Sequence, residues 1–346
     1  MPAVKILKSG PLTTVQDEGR KGYQRFGMPV AGAMDKISYR AANLLAGNNR
    51  GAAVLEFTME GPDLKFRSDS IISITGGDFS PRLNGCKIPM WQTIYVPAGA
   101  RLKIGTVEAG LRGYIAFKGG LDIEEKMDSK STYLKGKIGG YKGRKLQKDD
   151  LIKLNREVTT GEYCERIFPR QHIPEYKGHV EAGVILGPQD DHFTEKGIKA
   201  FLKERYSVTS QADRMGYRLE GPEINHRDEE SADIISDGIP PGAVQVPGHK
   251  NPIIMMADRQ TTGGYPKIAS VTSVDLSRIA QLKPGETVSF KEVSLKEAQE
   301  LLEEEENSFN EIEEREFKLK EDRFYRIKLE DRSYNVRVEE KEIEEN

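Results

Sequence analysis

The sequence predicts a mainly β protein with two tandem β lobes, a few helices and a C-terminal extension made of a helix and a hairpin. Turn-forming residues are abundant, with 34 Gly and 17 Pro spread over 346 residues. The segments between them are short and apolar or alternating, which is typical of strands. A polar, aperiodic stretch near the middle separates two such regions. A chain of this length is sufficient for two domains and an extension.

The first lobe is predicted to span residues 1–158. Turn sequences such as GGD at 76–78, NG at 84–85 and PAG at 97–99 favour a closed or sandwiched β structure. One helix is predicted over 34–45, where apolar residues recur at helical spacing before Gly47. We therefore expect a β barrel with one helix across it. Its strands are predicted at 55–59, 70–75, 92–96, 101–104 and 114–118.

The second lobe is predicted to span residues 181–291. It follows a linker region at 159–180 that is polar and contains Pro169 and Pro174. A strand is expected at 184–186, and Asp191 is expected to cap a helix that ends near Leu202. Further strands and turns continue to residue 290, with the last tight turn at 282–286.

The extension at 292–346 differs in composition from the rest. Residues 291–346 contain 11 Lys+Arg and 20 Asp+Glu of the chain's totals of 52 and 55, which leaves 41 and 35 for residues 1–290. Ser294 and Glu297 form a capping-box pattern that begins a helix through about Glu306. Alternation at 324–330 and 333–339 predicts a hairpin, which we expect to dock on the body or on a partner. The predicted apolar face of the helix consists of Leu295, Ala298, Leu301 and Leu302.

Composition excludes several classes of protein. No segment approaches ~18 consecutive apolar residues, so a membrane-spanning protein is not expected. The two cysteines, Cys86 and Cys164, are too few for a disulfide framework and favour a reducing compartment, the cytoplasm. The sequence has no basic stripe with interleaved aromatic residues, so nucleic acid is not an expected partner. A metal site is also not expected, because a helix N-cap explains the acidic GPQDDH segment at 187–192 better.

The two lobes share a faint internal repeat. The pattern Arg-x-Gly-Tyr occurs at 20–23 and again at 214–217. Each copy is followed by a second pattern, Gly-apolar-Pro and then Gly-Ala-apolar, which lies at 27–34 in the first lobe and at 238–244 in the second. We interpret this as duplication of one β unit, which predicts a pseudo-symmetric boundary between the lobes.

Polar residues concentrate in three segments of the second lobe. They are SQADRMGYR at 210–218, SDGIPPG with the nearby Gln245 at 236–245, and ADRQTTGGYPK at 257–267. Such groups are costly between buried strands unless they face a cleft or pair with one another. The alternative for each segment is a β turn with internally satisfied charges, but three segments within about sixty residues favour one shared cleft. TTVQDEGR at 13–20 is the matching segment of the first lobe, and residues 75–78 and 129–133 are weaker candidates for a pocket.

These motifs resemble those of the allophanate hydrolase subunit 2 family, also called the KipA or PxpC family of biotin-dependent carboxyltransferase-like proteins. The resemblance lies in TTVQDEGR at 13–20, GAMD at 32–35, GPQD at 187–190, DRMGYR at 213–218 and DRQTTGGYPK at 258–267, and it covers roughly residues 3–290. It implies two cyclophilin-like β-barrel lobes. It also implies a hetero-oligomer with a KipI-type (PxpB) subunit and a PxpA-type subunit.

The resemblance implies that the chain is the C subunit of an ATP-dependent 5-oxoprolinase, which opens 5-oxoproline to glutamate, and that its activity alone is doubtful. It implies catalytic roles for Asp258, Arg259, Gln260 and Lys267. No covalently bound cofactor is expected, and ATP is used by the complex at a site that the sequence does not locate. The implied substrate-binding residues are Asp213, Arg214, Tyr217, Gln245, Thr261, Gly263, Gly264 and Tyr265.

Two alternatives remain open. The same module in larger relatives implies transfer of a carboxyl group from carboxybiotin to urea or a similar amide. The chain lacks a Met-Lys-Met biotin attachment sequence and an ATP-grasp-length domain, which favours the oxoprolinase hypothesis. The alternative from another class is a non-catalytic regulator that binds a KipI-type kinase inhibitor.

Overall fold

The first part of the chain forms two β sheets around one core. The computed structural model describes residues 1–314, 323–329 and 332–338. In chain order the strands are β1 (Ala3–Lys8), β2 (Leu12–Gln16), β3 (Val54–Thr58), β4 (Asp63–Phe66), β5 (Ser70–Asp78), β6 (Arg82–Leu83), β7 (Cys86–Lys87), β8 (Thr93–Val96), β9 (Arg101–Lys103), β10 (Ala109–Phe117) and β11 (Leu151–Lys153).

One sheet has the order β11-β1-β4-β9-β6-β7 and the other the order β2-β3-β10-β5-β8. Both sheets contribute to a single apolar core, to which Ile6, Leu64 and Leu102 belong on one side and Phe57 and Ile115 on the other. The prediction of a mainly β fold is confirmed. In this lobe, however, the strands form two open sheets that pack on the same core, and they do not close into the expected barrel.

Helix α1 (Lys36–Ala46) lies against the second sheet, close to the predicted 34–45. The Asp35 carboxylate caps it by accepting the Ser38 N–H at 3.0 Å, and Gly47 ends it with φ of 73°. Tyr39 and Ala42 pack towards the sheet, while Ala41 and Leu44 face the opposite way. The helix is therefore covered on both sides.

Residues 159–178 contain two short 3₁₀ turns, Thr160–Glu162 and Arg170–His172. The segment packs against the first lobe. Phe168 lies 5.4 Å from Trp91 between ring centroids, and Tyr163 joins Ile71 in a small apolar cluster.

The second lobe is a closed barrel. Its elements are β12 (His179–Leu186), α2 (Glu195–Lys203), β13 (Arg205–Val208), β14 (Gly216–Glu220), β15 (Asp237–Gly238), β16 (Ala243–Gln245), β17 (Ile253–Met255), β18 (Thr262–Gly263), β19 (Lys267–Val271), α3 (Ser273–Ile279) and β20 (Thr287–Glu292). The barrel strands meet in the order β12-β19-β16-β17-β14-β13-β20, and β20 pairs in parallel with β12 to complete the ring. Two further short strands, β15 and β18, pair as a ribbon outside the barrel.

The predicted cap of α2 is wrong. Asp191 lies in a separate 3₁₀ turn at Asp190–His192, and the helix begins three residues later. The Thr194 hydroxyl caps it by accepting the Gly197 N–H at 3.0 Å. Asp191 and Thr194 both lie in the polar segment before the helix and both residue types can cap a helix, so the sequence pattern does not show which one does.

The extension begins with α4 (Leu295–Glu314), which extends eight residues beyond the predicted end. The predicted capping box is present, since the Glu297 carboxylate accepts the Ser294 N–H at 2.7 Å and the Ser294 hydroxyl accepts the Glu297 N–H at 3.2 Å. The predicted apolar face is wrong: Leu295 is 62% exposed, whereas Phe309 and Ile312 near the other end are buried against α1. The last strands, β21 (Arg323–Leu329) and β22 (Arg332–Val338), form the predicted hairpin.

The internal repeat does not correspond to repeated local structure. Gly216 and Tyr217 lie in β14, inside the barrel. Gly22 and Tyr23 lie instead in a turn that precedes a 3₁₀ turn at Gln24–Phe26, and the Tyr23 hydroxyl donates to Asp128 at 2.7 Å. The two Arg-x-Gly-Tyr copies therefore adopt different conformations, and duplication of one β unit stays a prediction.

Candidate functional site

The polar residues between β17 and β19 do not form one cluster. Asp258 and Arg259 follow the end of β17 after a gap of two residues. Asp258 binds Arg214, which reaches the first lobe, and Arg259 lines a cavity between the lobes, whereas Lys267 begins β19 and faces the β15–β18 ribbon. The structure therefore divides the predicted site into an interlobe contact, an interlobe cavity and a polar cluster around Lys267.

Arg214 is the centre of the interlobe contact. It is 6% exposed, and its Nε and Nη2 donate to both oxygens of Asp258 at 3.0 Å. Its remaining donors reach the first lobe, where they bind the Glu56 carboxylate and the Gly32 carbonyl. We call Arg214, Asp258 and Glu56 the interlobe triad. All three side chains are buried, which is tolerated because the guanidinium is bound on every side.

Burial and charge act in opposite directions in this triad. Burial raises the pKa of Asp258, and the Arg214 guanidinium offsets part of that rise. Burial alone would lower the pKa of Arg214, but Asp258 and Glu56 together reverse this and raise it. Arg214 is thus held as a cation at any working pH.

A second arginine reaches from the first lobe to the second, whereas Arg214 reaches from the second lobe to the first. Arg112 of β10 donates to the Tyr217 hydroxyl and to the Ala280 carbonyl of the second lobe. Gln281 reinforces the contact: its Oε1 accepts the Leu111 and Arg112 N–H groups, both at 2.8 Å. Tyr217, predicted to bind substrate, is therefore part of the boundary between the lobes.

Arg259 lines a cavity of about 240 Å³ between the lobes. It is 4% exposed, and its Nε and Nη1 donate to the Ile239 and Met256 carbonyls at 2.9 and 3.2 Å. Lys36, at the start of α1, lines the same cavity from the first lobe. Burial lowers the pKa of Arg259 to about 10, and partial desolvation also lowers that of Lys36, which keeps an exposed surface.

Lys267 lies in a different environment. It is 2% exposed, and its Nζ donates to the Asp237 carboxylate at 3.1 Å. The Asp237 side chain is 57% exposed, and the Lys267 hydrogen bond lowers its pKa. The ammonium is thus buried while the carboxylate that it binds is open to solvent.

Amide side chains surround this pair. Gln189 accepts the Lys267 N–H at 3.2 Å, and its side chain lies close enough to Asp237 to lower the pKa of that carboxyl further. Gln245 is the cross-strand neighbour of Lys267 and donates to the Tyr265 carbonyl at 3.2 Å. We call Lys267, Asp237, Gln189 and Gln245 the Lys267 cluster. It offers donors for a carbonyl or developing oxyanion and acceptors for an N–H, which is what an amide substrate requires.

Gly263 explains why the cluster is close-packed. A Cβ at this position would lie 2.7 Å from Ile239 Cδ1, 3.0 Å from Gln245 Nε2 and 3.6 Å from Gln260 Nε2. Gly263 is also the pairing partner of Asp237 in the ribbon. Any larger side chain would displace the Gln245 amide.

The other predicted site residues are peripheral. Asp213 is exposed and accepts the Met215 and Gly216 N–H groups at 2.8 and 3.1 Å, as in a turn. Gln260 and Tyr265 are exposed at the rim of the Lys267 cluster. Thr261 and Gly264 contribute carbonyls that accept the Ile239 and Ile234 N–H groups at 3.0 and 2.8 Å.

The first-lobe segments form a structural contact with one another. Asp17 accepts hydrogen bonds from the Gly19 N–H at 2.8 Å, the Ser129 hydroxyl at 2.7 Å and the Ser131 hydroxyl. The 129–133 segment therefore holds the 13–20 segment in place. Thr75 lies in β5 and donates to the Ser38 carbonyl of α1 at 2.6 Å.

Sequence reasoning gave no individual role to several residues that contribute to these sites. Glu56, Arg112 and Gln281 lie outside the predicted segments, and only their three-dimensional neighbours give them a role. Asp237 lies within the predicted 236–245 segment but was not singled out there. Gln189 belongs to the GPQD motif, for which the resemblance implies no role, and Gly187 of that motif packs against the Lys267 backbone. Lys36 directly follows a helix cap, so its local pattern indicates only a position in the helix.

Among residues 1–314 and the two described hairpin strands, no cluster of three or more His, Cys, Asp or Glu could hold a metal ion. In the same part of the chain no helix is long and apolar enough to cross a membrane.

The chain is similar to proteins of known kind. The family described as carboxyltransferase domain, subdomain A and B, matches residues 26–292. The C subunit of 5-oxoprolinase from Escherichia coli (strain K12) is 34% identical over 295 residues, which are 85% of this chain and 93% of that protein. The protein of the same name from Haemophilus influenzae is 34% identical over 86% of this chain and 94% of its own length.

A solved structure shares the fold. The K. lactis urea amidolyase superposes with a TM-score of 0.84 at 31% identity over 90% of this chain. The chain spans only 20% of that structure's length.

Proposed function

Because the chain belongs to the family of carboxyltransferase domains with subdomains A and B, we propose that it is the C subunit of a 5-oxoprolinase. One observation carries the proposal. The two relatives with that name align over 93% and 94% of their own length, whereas urea amidolyase aligns over 20% of its length. The match thus extends over nearly the whole of each oxoprolinase subunit and over a fifth of the urea amidolyase.

We further propose that the enzyme is ATP-dependent and opens 5-oxoproline to glutamate together with KipI-type (PxpB) and PxpA-type subunits in the cytoplasm. The complex consumes the ATP, this chain carries no covalently bound cofactor, and biotin has no role in the reaction.

The Lys267 cluster supports the proposed chemistry. When the lactam carbonyl of 5-oxoproline is attacked, negative charge develops on its oxygen, and a buried ammonium stabilises that charge more strongly than an exposed one would. The Gln189 and Gln245 side chains lie close enough to Lys267 to orient a lactam. Asp237 positions the ammonium and is accessible to substrate from solvent.

Reconstitution tests the proposal. The chain is combined with its PxpA-type and PxpB-type partners, and ATP-dependent release of glutamate from 5-oxoproline is measured with and without it. We expect turnover to require the chain and Lys267→Met to reduce kcat by about 100- to 1000-fold, the usual cost of removing one oxyanion donor. Unchanged turnover without the chain would refute the assignment.

Lys250→Met is the matched control, because Lys250 forms an exposed pair with Glu223 at 3.0 Å. It is expected to leave turnover unchanged. Co-purification of the Lys267→Met variant with the partners separates catalysis from assembly. A variant that binds its partners but does not turn over contradicts a purely regulatory role.

The structural similarity to urea amidolyase favours a second candidate, carboxyl transfer from carboxybiotin to urea or a similar amide. A carboxybiotin-dependent assay with urea as acceptor distinguishes the two. Carboxylation of urea in the absence of ATP would favour the second candidate.

A further inference from the structure

The cavity between the lobes is a separate feature from the Lys267 cluster. Residues from both lobes line it, and none of Lys267, Asp237, Gln189 or Gln245 is among them. Its volume of about 240 Å³ is below the range of about 300–1,000 Å³ typical of pockets for drug-sized ligands. A ligand here is therefore a small molecule.

Positive charge is in excess in this cavity. Arg259 binds two backbone carbonyls and no carboxylate of the described residues, and burial is the single cause that lowers its pKa. Lys36 lies near Arg259 in the lining and keeps an exposed surface. Desolvation lowers its pKa, Glu18 opposes this, and the nearby cations, Arg259 among them, lower it further. The third cation of the lining, Lys21, pairs with Glu18 at 3.2 Å.

Within the described part of the chain, Glu18 is the one carboxylate of the lining; it acts on Lys36 and pairs with Lys21, whereas Arg259, the buried cation, forms no ion pair with it. The second contact of Glu18 is with Arg40, at 3.6 Å from Nε. Two lysines and one arginine against one glutamate leave a formal excess of two positive charges. A buried cation without a counter-ion is costly, so the cavity is preorganised for an anion.

The rest of the lining is apolar. Met34 enters from the first lobe, and Met255, Met256 and Leu276 come from the second. An inorganic anion would leave these side chains without a partner, whereas methionines adapt well to a small organic ligand. The combination calls for a ligand with one anionic end and an apolar body.

We propose that this interlobe cavity binds a small organic monocarboxylate, whose carboxylate pairs with Arg259 and Lys36 and whose apolar body packs on the methionines. The site is distinct from the Lys267 cluster, and the proposal does not depend on the reaction that the cluster catalyses. Because both lobes contribute, the bound anion links them.

Binding to the full chain tests this directly. Calorimetry compares cyclopentanecarboxylate with cyclopentanecarboxamide, which has the same ring and no charge, and with inorganic phosphate. We expect the carboxylate to bind at least tenfold more tightly than either of the others. Equal binding of the amide, or tighter binding of phosphate, would overturn the proposal.

Variants locate the site. Lys36→Met is expected to weaken carboxylate binding by at least tenfold, and Lys250→Met is expected to have no effect. Arg259→Lys is a second variant that keeps the charge and loses the planar guanidinium; it is also expected to weaken binding, with thermal unfolding used to verify that it is folded. Unchanged affinity in both Lys36→Met and Arg259→Lys would refute the assignment.

Lys267→Met separates this proposal from the proposed function. We expect it to retain carboxylate binding while losing turnover. If Lys267→Met instead abolishes binding and Lys36→Met does not, the ligand occupies the Lys267 cluster. In that case the cavity proposal is wrong although the oxoprolinase assignment stands.

Discussion

Asp258 and Lys267 lie close together in the chain, yet the ion pairs that they form differ in almost every physical respect. The Asp258 carboxylate belongs to the interlobe triad, where Arg214 binds it through two hydrogen bonds and no member is exposed. Lys267 is equally buried, but the carboxylate that it binds, that of Asp237, is largely exposed. The triad is closed to ligands, whereas the Lys267 cluster is open on one side. The difference shows that a dense polar motif can hold two lobes together at one end and present a binding site at the other.

The largest effect is expected from breaking the triad. Arg214→Leu leaves Asp258 and Glu56 buried without a counter-charge, and we expect the free energy of unfolding to fall by about 3–5 kcal/mol. Urea denaturation of the purified chain measures it. A loss below about 1 kcal/mol would mean that the triad contributes little to holding the lobes together.

Glu305 of α4 tests a carboxylate that is buried without full pairing. Its nearest cation is Arg40, 3.9 Å away, its Oε2 has no hydrogen-bond partner among the described residues, and Glu306, Asp35 and Lys36 lie nearby. Burial raises the pKa of Glu305 from 4.5 to about 7. A raised carboxyl pKa contributes stability that is present below pH 4.5 and is lost as the pH rises through 7.

Glu305→Gln is therefore expected to remove this pH dependence. Relative to the unmodified chain, the variant should be more stable at pH 8, by about 3 kcal/mol at most, and the advantage should disappear near pH 5. Urea denaturation at both pH values measures the difference. An advantage that is the same at pH 5 and pH 8 would contradict the raised pKa.

Arg112 provides the comparison within the boundary itself. Its acceptors are the Tyr217 hydroxyl and the Ala280 carbonyl, both neutral. Arg112→Leu leaves unsatisfied polar groups but no bound carboxylate, so we expect a loss of about 1–3 kcal/mol, smaller than for Arg214→Leu. Denaturation midpoints of the two variants, measured side by side, check the order. The reverse order would show that charge pairing is not what makes Arg214 important.

The sequence was sufficient to predict the β content, the position of α1 and the capping box of α4, because these depend on local patterns of turns, apolar spacing and caps. It also identified the segments that contain Arg214, Asp258, Arg259 and Lys267. The sequence was insufficient to assign these segments to separate sites. Whether a charged side chain contacts Glu56 across the lobes or Asp237 within one lobe depends on residues that are far apart in the chain. The open first lobe was missed for the same reason: strand patterns do not specify which edge strands pair.

The smallest effect on stability is expected from the open side of the Lys267 cluster. Asp237 is exposed to solvent and Asn keeps an acceptor oxygen for the buried ammonium, so Asp237→Asn should lower the free energy of unfolding by about 1 kcal/mol or less. The carboxylate positions Lys267, and the reconstituted enzyme should therefore lose kcat, by less than Lys267→Met does, with Asp237→Glu restoring part of it. A fall in stability comparable to that of Arg214→Leu would mean that the Lys267–Asp237 pair, like the triad, is structural. The contrast between the two ion pairs would then disappear.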